Sequence, residues 1–102
     1  MSLDMESSMR TDSSMEELGA HFKSWRIMLG LSQELAAQRA HISVPALRRV
    51  ERGDPGVSLG TLMKLADVLR MDQHMVKAVD PLNHDLGRAR AHMLTRKRAK
   101  RS

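Results

Sequence analysis

Between Gly30 and Gly53 the chain reads GLSQELAAQRAHISVPALRRVERG, which leaves room for two short helices and little more than a turn between them. Ser32 opens the first, its hydroxyl placed to accept from the N–H of Glu34 or Leu35, and the run continues to about Arg39 or Ala40. Leu35, Ala36, Ala37 and Ala40 give it a narrow apolar face of mostly small side chains, against which another helix can pack closely. After Ala40-His41-Ile42, Ser43 signals a second helix that stops at Gly53, and Ile42 and Leu47 occupy the positions of a hydrophobic staple around that cap. Pro45 disfavours helical backbone at Val44 but costs nothing in a first helical turn, so the helix begins at one of these two residues. Two helices joined so tightly cannot fold back antiparallel. The second must therefore stand out from the body of the molecule.

The flanking sequence supplies that body. Ser14-Met15-Glu16-Glu17 has the form of a capping box, and Leu18, Phe22, Trp25 and Leu29 then recur at helical spacing until Gly30 ends the helix. Phe22 and Trp25, the only aromatic residues, are expected in the core, which argues against recognition of single strands by base stacking. Downstream of Gly53-Asp54-Pro55-Gly56, Ser58 can cap a helix whose apolar stripe is Leu59, Leu62, Leu65, Ala66 and Leu69. A fifth, short helix is expected from Asp72 as cap through Met75, Val76 and Val79, closing before Asp80-Pro81. Residues 1–13 are rich in Ser and Met without periodicity and are expected to be disordered. Leu82, Leu86, Ala89, Met93 and Leu94 support a weak amphipathic helix, and nothing orders Arg96 to Ser102. The expected fold is all-α: a disordered segment at 1–13, a five-helix domain at 14–80 and a basic tail at 81–102.

The charge is distributed unevenly. Residues 1–85 hold ten Lys or Arg against all twelve Asp and Glu, whereas residues 86–102 hold Arg88, Arg90, Arg96, Lys97, Arg98, Lys100 and Arg101 with no acid. Such a tail adds sequence-independent attraction to phosphate if the body binds nucleic acid. At 102 residues there is room for one compact domain and little scope for an elaborate catalytic cleft. Cysteine is absent, which removes disulfides and thiolate metal sites. No apolar stretch approaches the roughly 18 residues of a membrane span and no leader pattern opens the chain, so a cytoplasmic protein is expected. His21, His41, His74, His84 and His92 lack metal-ligand spacing, and there is no phosphate loop or nucleophile motif. Neither enzymatic activity nor a cofactor or metal is expected.

The Gly30–Gly53 segment resembles the Xre family, the helix-turn-helix class that includes Cro and the phage repressors. The resemblance extends from about Leu18 to Val79. It is carried by Leu31-Ser32-Gln33, Ala37, Ala40, Ile42-Ser43, Leu47, Val50-Glu51 and Gly53, followed by Ser58, Thr61-Leu62 and Leu65-Ala66. It implies a lambda-repressor-like fold and a sequence-specific regulator of transcription that binds double-stranded DNA, in which the helix over 44–52 enters the major groove. Carried over by position, Gln33 contacts a phosphate, with a base as a second target open to its amide, and Val44, Pro45 and Arg49 face base edges. Val44 and Pro45 then meet a thymine methyl, and Arg49 meets guanine O6 and N7. Ser43, Arg48 and Arg52 are assigned to phosphates. Two positions depart from the family. His41 stands where glycine is usual, in a turn that calls for positive φ, and Ala36 stands where leucine is usual, with Leu35 one place earlier.

The resemblance further implies a homodimer on a palindromic operator, with Leu69, Met71, Met75, Val76 and Val79 as candidate contact surface. A different function is also open. Asp54-Pro55-Gly56-Val57-Ser58, Asp80-Pro81-Leu82-Asn83 and Asp85-Leu86-Gly87-Arg88 resemble the small antitoxin regulators that accompany HipA-type toxin kinases, which would make the chain a module that binds and neutralises a toxin.

Overall fold

The computed structural model describes residues 2–95, and every regular element among them is helical. Six α-helices, α1 (Ser2–Met28), α2 (Gln33–Ala40), α3 (Val44–Arg52), α4 (Leu59–Val68), α5 (Asp72–Ala78) and α6 (Asp85–Arg90), are joined by a 3₁₀ turn at Pro81–Asn83. No helix among the described residues is long and apolar enough to cross a membrane. The chain divides into two compact units, the first ending at Asp72 and the second beginning at Gln73.

In the first unit the starts and stops of the helices follow one rule each. Ser32, Ser43 and Ser58 precede α2, α3 and α4 in extended conformation, and their side chains accept from the N–H of Leu35, Ala46 and Thr61. At the other end, α1 to α4 each finish in a left-handed residue: Gly30, His41, Gly53 and Arg70, with φ between 57° and 75°. Behind each of these residues two bonds close the turn, as in Leu31 N–H to Arg26 O and Gly30 N–H to Ile27 O, or Met71 N–H to Ala66 O and Arg70 N–H to Asp67 O. The same pair recurs at Ile42 and His41 and at Asp54 and Gly53, so two of the carbonyls left over at the end of each of the four helices are satisfied. α3 starts at Val44 with Pro45 in its first turn, where the missing N–H has no partner to lose.

Phe22 from α1, Ala36, Ala37 and Ala40 from α2, Leu47 and Val50 from α3, and Leu65, Ala66 and Leu69 at α4 form the core. α3 packs chiefly on α1 and also on α2, while α4 packs on α2. The contact between α1 and α3 is close enough to involve backbone. A Cβ on Gly19 would lie 2.5 Å from the Val50 carbonyl oxygen and 2.9 Å from the Gly53 nitrogen.

Several expectations need correction. Residues 2–13 continue α1 as helix instead of being disordered, so Ser14 is interior and the capping box is not formed. No glycine or proline interrupts the chain before Gly19, and once packing has fixed the C-terminal half of the helix each further residue adds a hydrogen bond without a new nucleation cost. The Thr11 hydroxyl donates to the Ser7 carbonyl at 3.0 Å along this extension. Trp25 is 39% exposed and Leu29 44%, because the buried line of α1 runs through Gly19, Phe22 and Arg26. Leu59 is 71% exposed, since the first turn of α4 extends past the core.

The second unit has more structure than a tail. Beyond α5, the Asp80 side chain accepts from Leu82 N–H at 2.9 Å and starts the 3₁₀ turn. Asn83 Nδ2 donates to the Lys77 carbonyl at 2.8 Å, and the His84 ring nitrogen Nε2 lies 2.6 Å from the Ala78 carbonyl, so the last carbonyls of α5 gain side-chain donors. Arg88 on α6 donates to the Leu82 carbonyl and pairs with Asp85. These local bonds support a sixth helix beyond the five expected in the domain, within the stretch where a weak amphipathic helix is expected. The basic run Arg96 to Arg101 lies outside the described residues.

Candidate nucleic-acid interface

Only two residues of α3, Leu47 and Val50, are buried, and they define the side on which the helix rests. At about 100° per residue, Pro45 and Arg52 lie opposite that side, with Arg48 and Arg49 flanking them to left and right. All four are exposed, and Val44 is half-buried beside Arg48. α3 has one acidic residue, Glu51, and it points inward. The outward face therefore carries three guanidinium groups and no carboxylate. Among the described residues none of the three arginines is engaged in an ion pair.

The inward acid is held firmly. Arg26 Nε donates to Glu51 Oε2 at 2.6 Å and Arg26 Nη2 to Glu51 Oε1 at 3.2 Å, with both side chains less than a tenth exposed. The remaining arm of Arg26 reaches the Leu31 carbonyl at 2.9 Å, in the turn that leads into α2. One guanidinium thus ties together α1, the turn before α2 and the last turn of α3. Such a pair is costly to desolvate and worth most when every donor and acceptor is used. Here it fixes the orientation of α3 against the scaffold.

Gln33, the first residue of α2, joins the same network. Its Nε2 donates to Glu51 Oε1 at 3.2 Å and its Oε1 accepts from Arg48 Nε at 3.1 Å. Of the residues picked out from sequence, the structure thus brings Gln33 and Arg48 into direct contact. Ser43 caps α3 through its side chain. Pro45, Arg49 and Arg52 share the outward side of α3, whereas Val44 lies half-buried at its edge, and among the described residues neither Arg49 nor Arg52 has a side-chain hydrogen bond to the body. Arg26 and Glu51 were not among the expected site residues. The available signal was a charged residue one helical step beyond Phe22, on the line otherwise occupied by buried residues.

The turn between α2 and α3 has the geometry its length requires. His41 adopts φ 57° and ψ 43°, its N–H and that of Ile42 close the end of α2, and Ser43 begins α3 two residues later. The result is a helix, a three-residue turn and a second helix whose polar side faces away from the core. The family model described as a helix-turn-helix domain matches residues 17–79. No curated protein and no solved structure matches the chain. With α2 and α3 forming the motif itself and the match covering more than half of its length, the chain belongs to the helix-turn-helix domain family.

Proposed function

We propose that this protein is a sequence-specific, double-stranded DNA-binding regulator of transcription of the Xre type, acting as a dimeric repressor that includes its own gene among its targets. The observation that carries the reading is the outward side of α3. Arg48, Arg49 and Arg52 are exposed on it, and the only acid of the helix is turned into the core and neutralised by Arg26. A cationic helix of that width is suited to the major groove, where phosphates line both walls and base edges form the floor. Arg49 is the residue we assign to a guanine, with Val44 and Pro45 against a thymine methyl; Gln33, Ser43, Arg48 and Arg52 hold phosphates. The role is binding, without catalysis.

Pairing is supported by the second unit. None of its described residues is buried, and Val76, Val79, Leu82 and Leu86 are at least half exposed. So short a unit gains its stability from a partner surface. A second copy of the chain is the partner we favour, because one helix-turn-helix reads too few bases for high specificity and two related by a two-fold axis read a palindrome. The same apolar residues favour a second reading, an antitoxin whose partner is a toxin kinase.

Selection of duplexes from a random pool by the full chain tests the proposal. A palindromic consensus establishes duplex binding, specificity and two-fold pairing together, whereas no enrichment contradicts all three. On the selected site, Arg49→Ala should cost roughly 1 to 3 kcal/mol and relax preference at one base pair. An equal loss on every sequence would move Arg49 to the phosphates. Co-purification with a kinase encoded beside the gene, together with no enriched duplex, would favour the antitoxin reading.

A further inference from the structure

The direction in which the Gln33 amide points is decided by its partners, because amide oxygen and nitrogen exchange places by a half-turn of the side chain. Both partners here are one-sided. A carboxylate paired to arginine only accepts, and a guanidinium only donates. Nε2 must therefore face Glu51, at 3.2 Å, and Oε1 must face Arg48, at 3.1 Å. Glu51 is in turn immobilised by two bonds from the buried Arg26. A line of contacts thus runs from the core to the surface, and each member can make its bond in only one sense.

What this line leaves over is mostly donors. After these bonds Gln33 retains one amide N–H and one carbonyl lone pair, and Arg48 retains the N–H groups of its two terminal nitrogens. Such a cationic, donor-rich pair matches an anion. The Nε bond also draws Arg48 sideways toward α2, away from the line of Pro45 and Arg52 that points directly out from the core. We propose that Gln33 and Arg48 work as one phosphate clamp bridging α2 and α3, with Glu51 as the positioning residue that sets its polarity; this inference rests on the duplex-binding reading above. Neither member is a clamp alone. Without Gln33 the Arg48 side chain loses its tether, and without Arg48 the Gln33 carbonyl faces the backbone of the nucleic acid with a repelling lone pair.

A double-mutant cycle on the selected duplex tests this, with circular dichroism confirming that each variant keeps its helix content. Arg48→Ala should weaken binding about tenfold in the wild-type chain and about twofold or less in the Gln33→Ala background, a coupling that independent contacts do not show. Each single variant should also lower the slope of log K against log salt by about one, which a purely structural role for Gln33 would leave unchanged. Arg48→Lys keeps the charge without the Nε–H, so it should behave like Arg48→Ala in the cycle. Equal Arg48→Ala losses in both backgrounds, with duplex binding intact, overturn the clamp and leave the functional reading standing. A loss confined to one base pair overturns phosphate as the target. Absence of duplex binding by the wild-type chain overturns the clamp together with the reading on which it rests.

Discussion

At the scale of single residues, two positions hold a left-handed backbone without being glycine. His41 has φ 57° and Arg70 has φ 62°, and both are exposed. An L-residue there costs about 1 to 2 kcal/mol through its Cβ, less for histidine, which tolerates the region better than arginine. Glycine removes that strain but adds freedom to the unfolded chain, offsetting about 0.4 to 1 kcal/mol of the gain. His41→Gly should therefore stabilise by up to about 0.5 kcal/mol and Arg70→Gly by about 1 kcal/mol, raising the melting temperature by roughly 4 to 8 °C in the second case. A lower melting temperature for either variant would contradict the turn geometry. The difference between the two positions also shows what a sequence discloses. His41 was legible as strained because the family resemblance places it where glycine is usual, whereas Arg70 lies in a run with no glycine or proline to mark the turn. The serine caps were legible because each acts on an N–H three residues on. The Arg26–Glu51 pair was not, because its partners are far apart in the chain and a charge on an apolar stripe resembles an interruption of it.

At the scale of elements, the site depends on how closely α3 is seated on α1. Gly19 lets the two backbones meet: a Cβ there would lie within 3.0 Å of the Val50 and Glu51 carbonyl oxygens and the Gly53 nitrogen, none of which can swing aside. Alanine is the better helix former by about 1 kcal/mol, so helix propensity alone predicts that Gly19→Ala stabilises. Steric exclusion predicts the opposite, with overpacking of a rigid contact costing about 1 to 3 kcal/mol or more. Net destabilisation of at least about 1 kcal/mol is expected in denaturant unfolding, with duplex affinity falling further because the Arg26–Glu51 pair spans the same joint. A neutral or stabilised Gly19→Ala would mean that the helices do not approach this closely. Here too the sequence was only partly legible. Four-residue and three-residue steps select an apolar line but do not say which of two adjacent lines is buried. Trp25 and Leu29 lost that competition to Gly19 and Arg26 because backbone contact at Gly19 and the carboxylate of Glu51 lie on the other line.

At the scale of the whole molecule, charge separates along the chain more sharply than any other property. Of the seven cations from Arg88 onward, Arg88 is already committed to Asp85 and the Leu82 carbonyl, so it contributes less to an external phosphate than its formal charge suggests. Arg96, Lys97, Arg98, Lys100 and Arg101 form the dense part of the run, and no acid interrupts them. Their attraction to a duplex would be independent of sequence and would act through counterion release, which scales with the number of phosphates neutralised. A chain ending at Thr95 keeps α6 and removes these five. If the run binds phosphate, this truncation should flatten the salt dependence of log K by up to about 4.5, weakening specific and non-specific duplexes alike. Specificity, the ratio between the two, should stay constant if, as proposed, α3 reads the base edges. An unchanged slope would assign the run no part in binding. A changed ratio with an unchanged slope would instead place it against bases and demand a different account of how the protein discriminates.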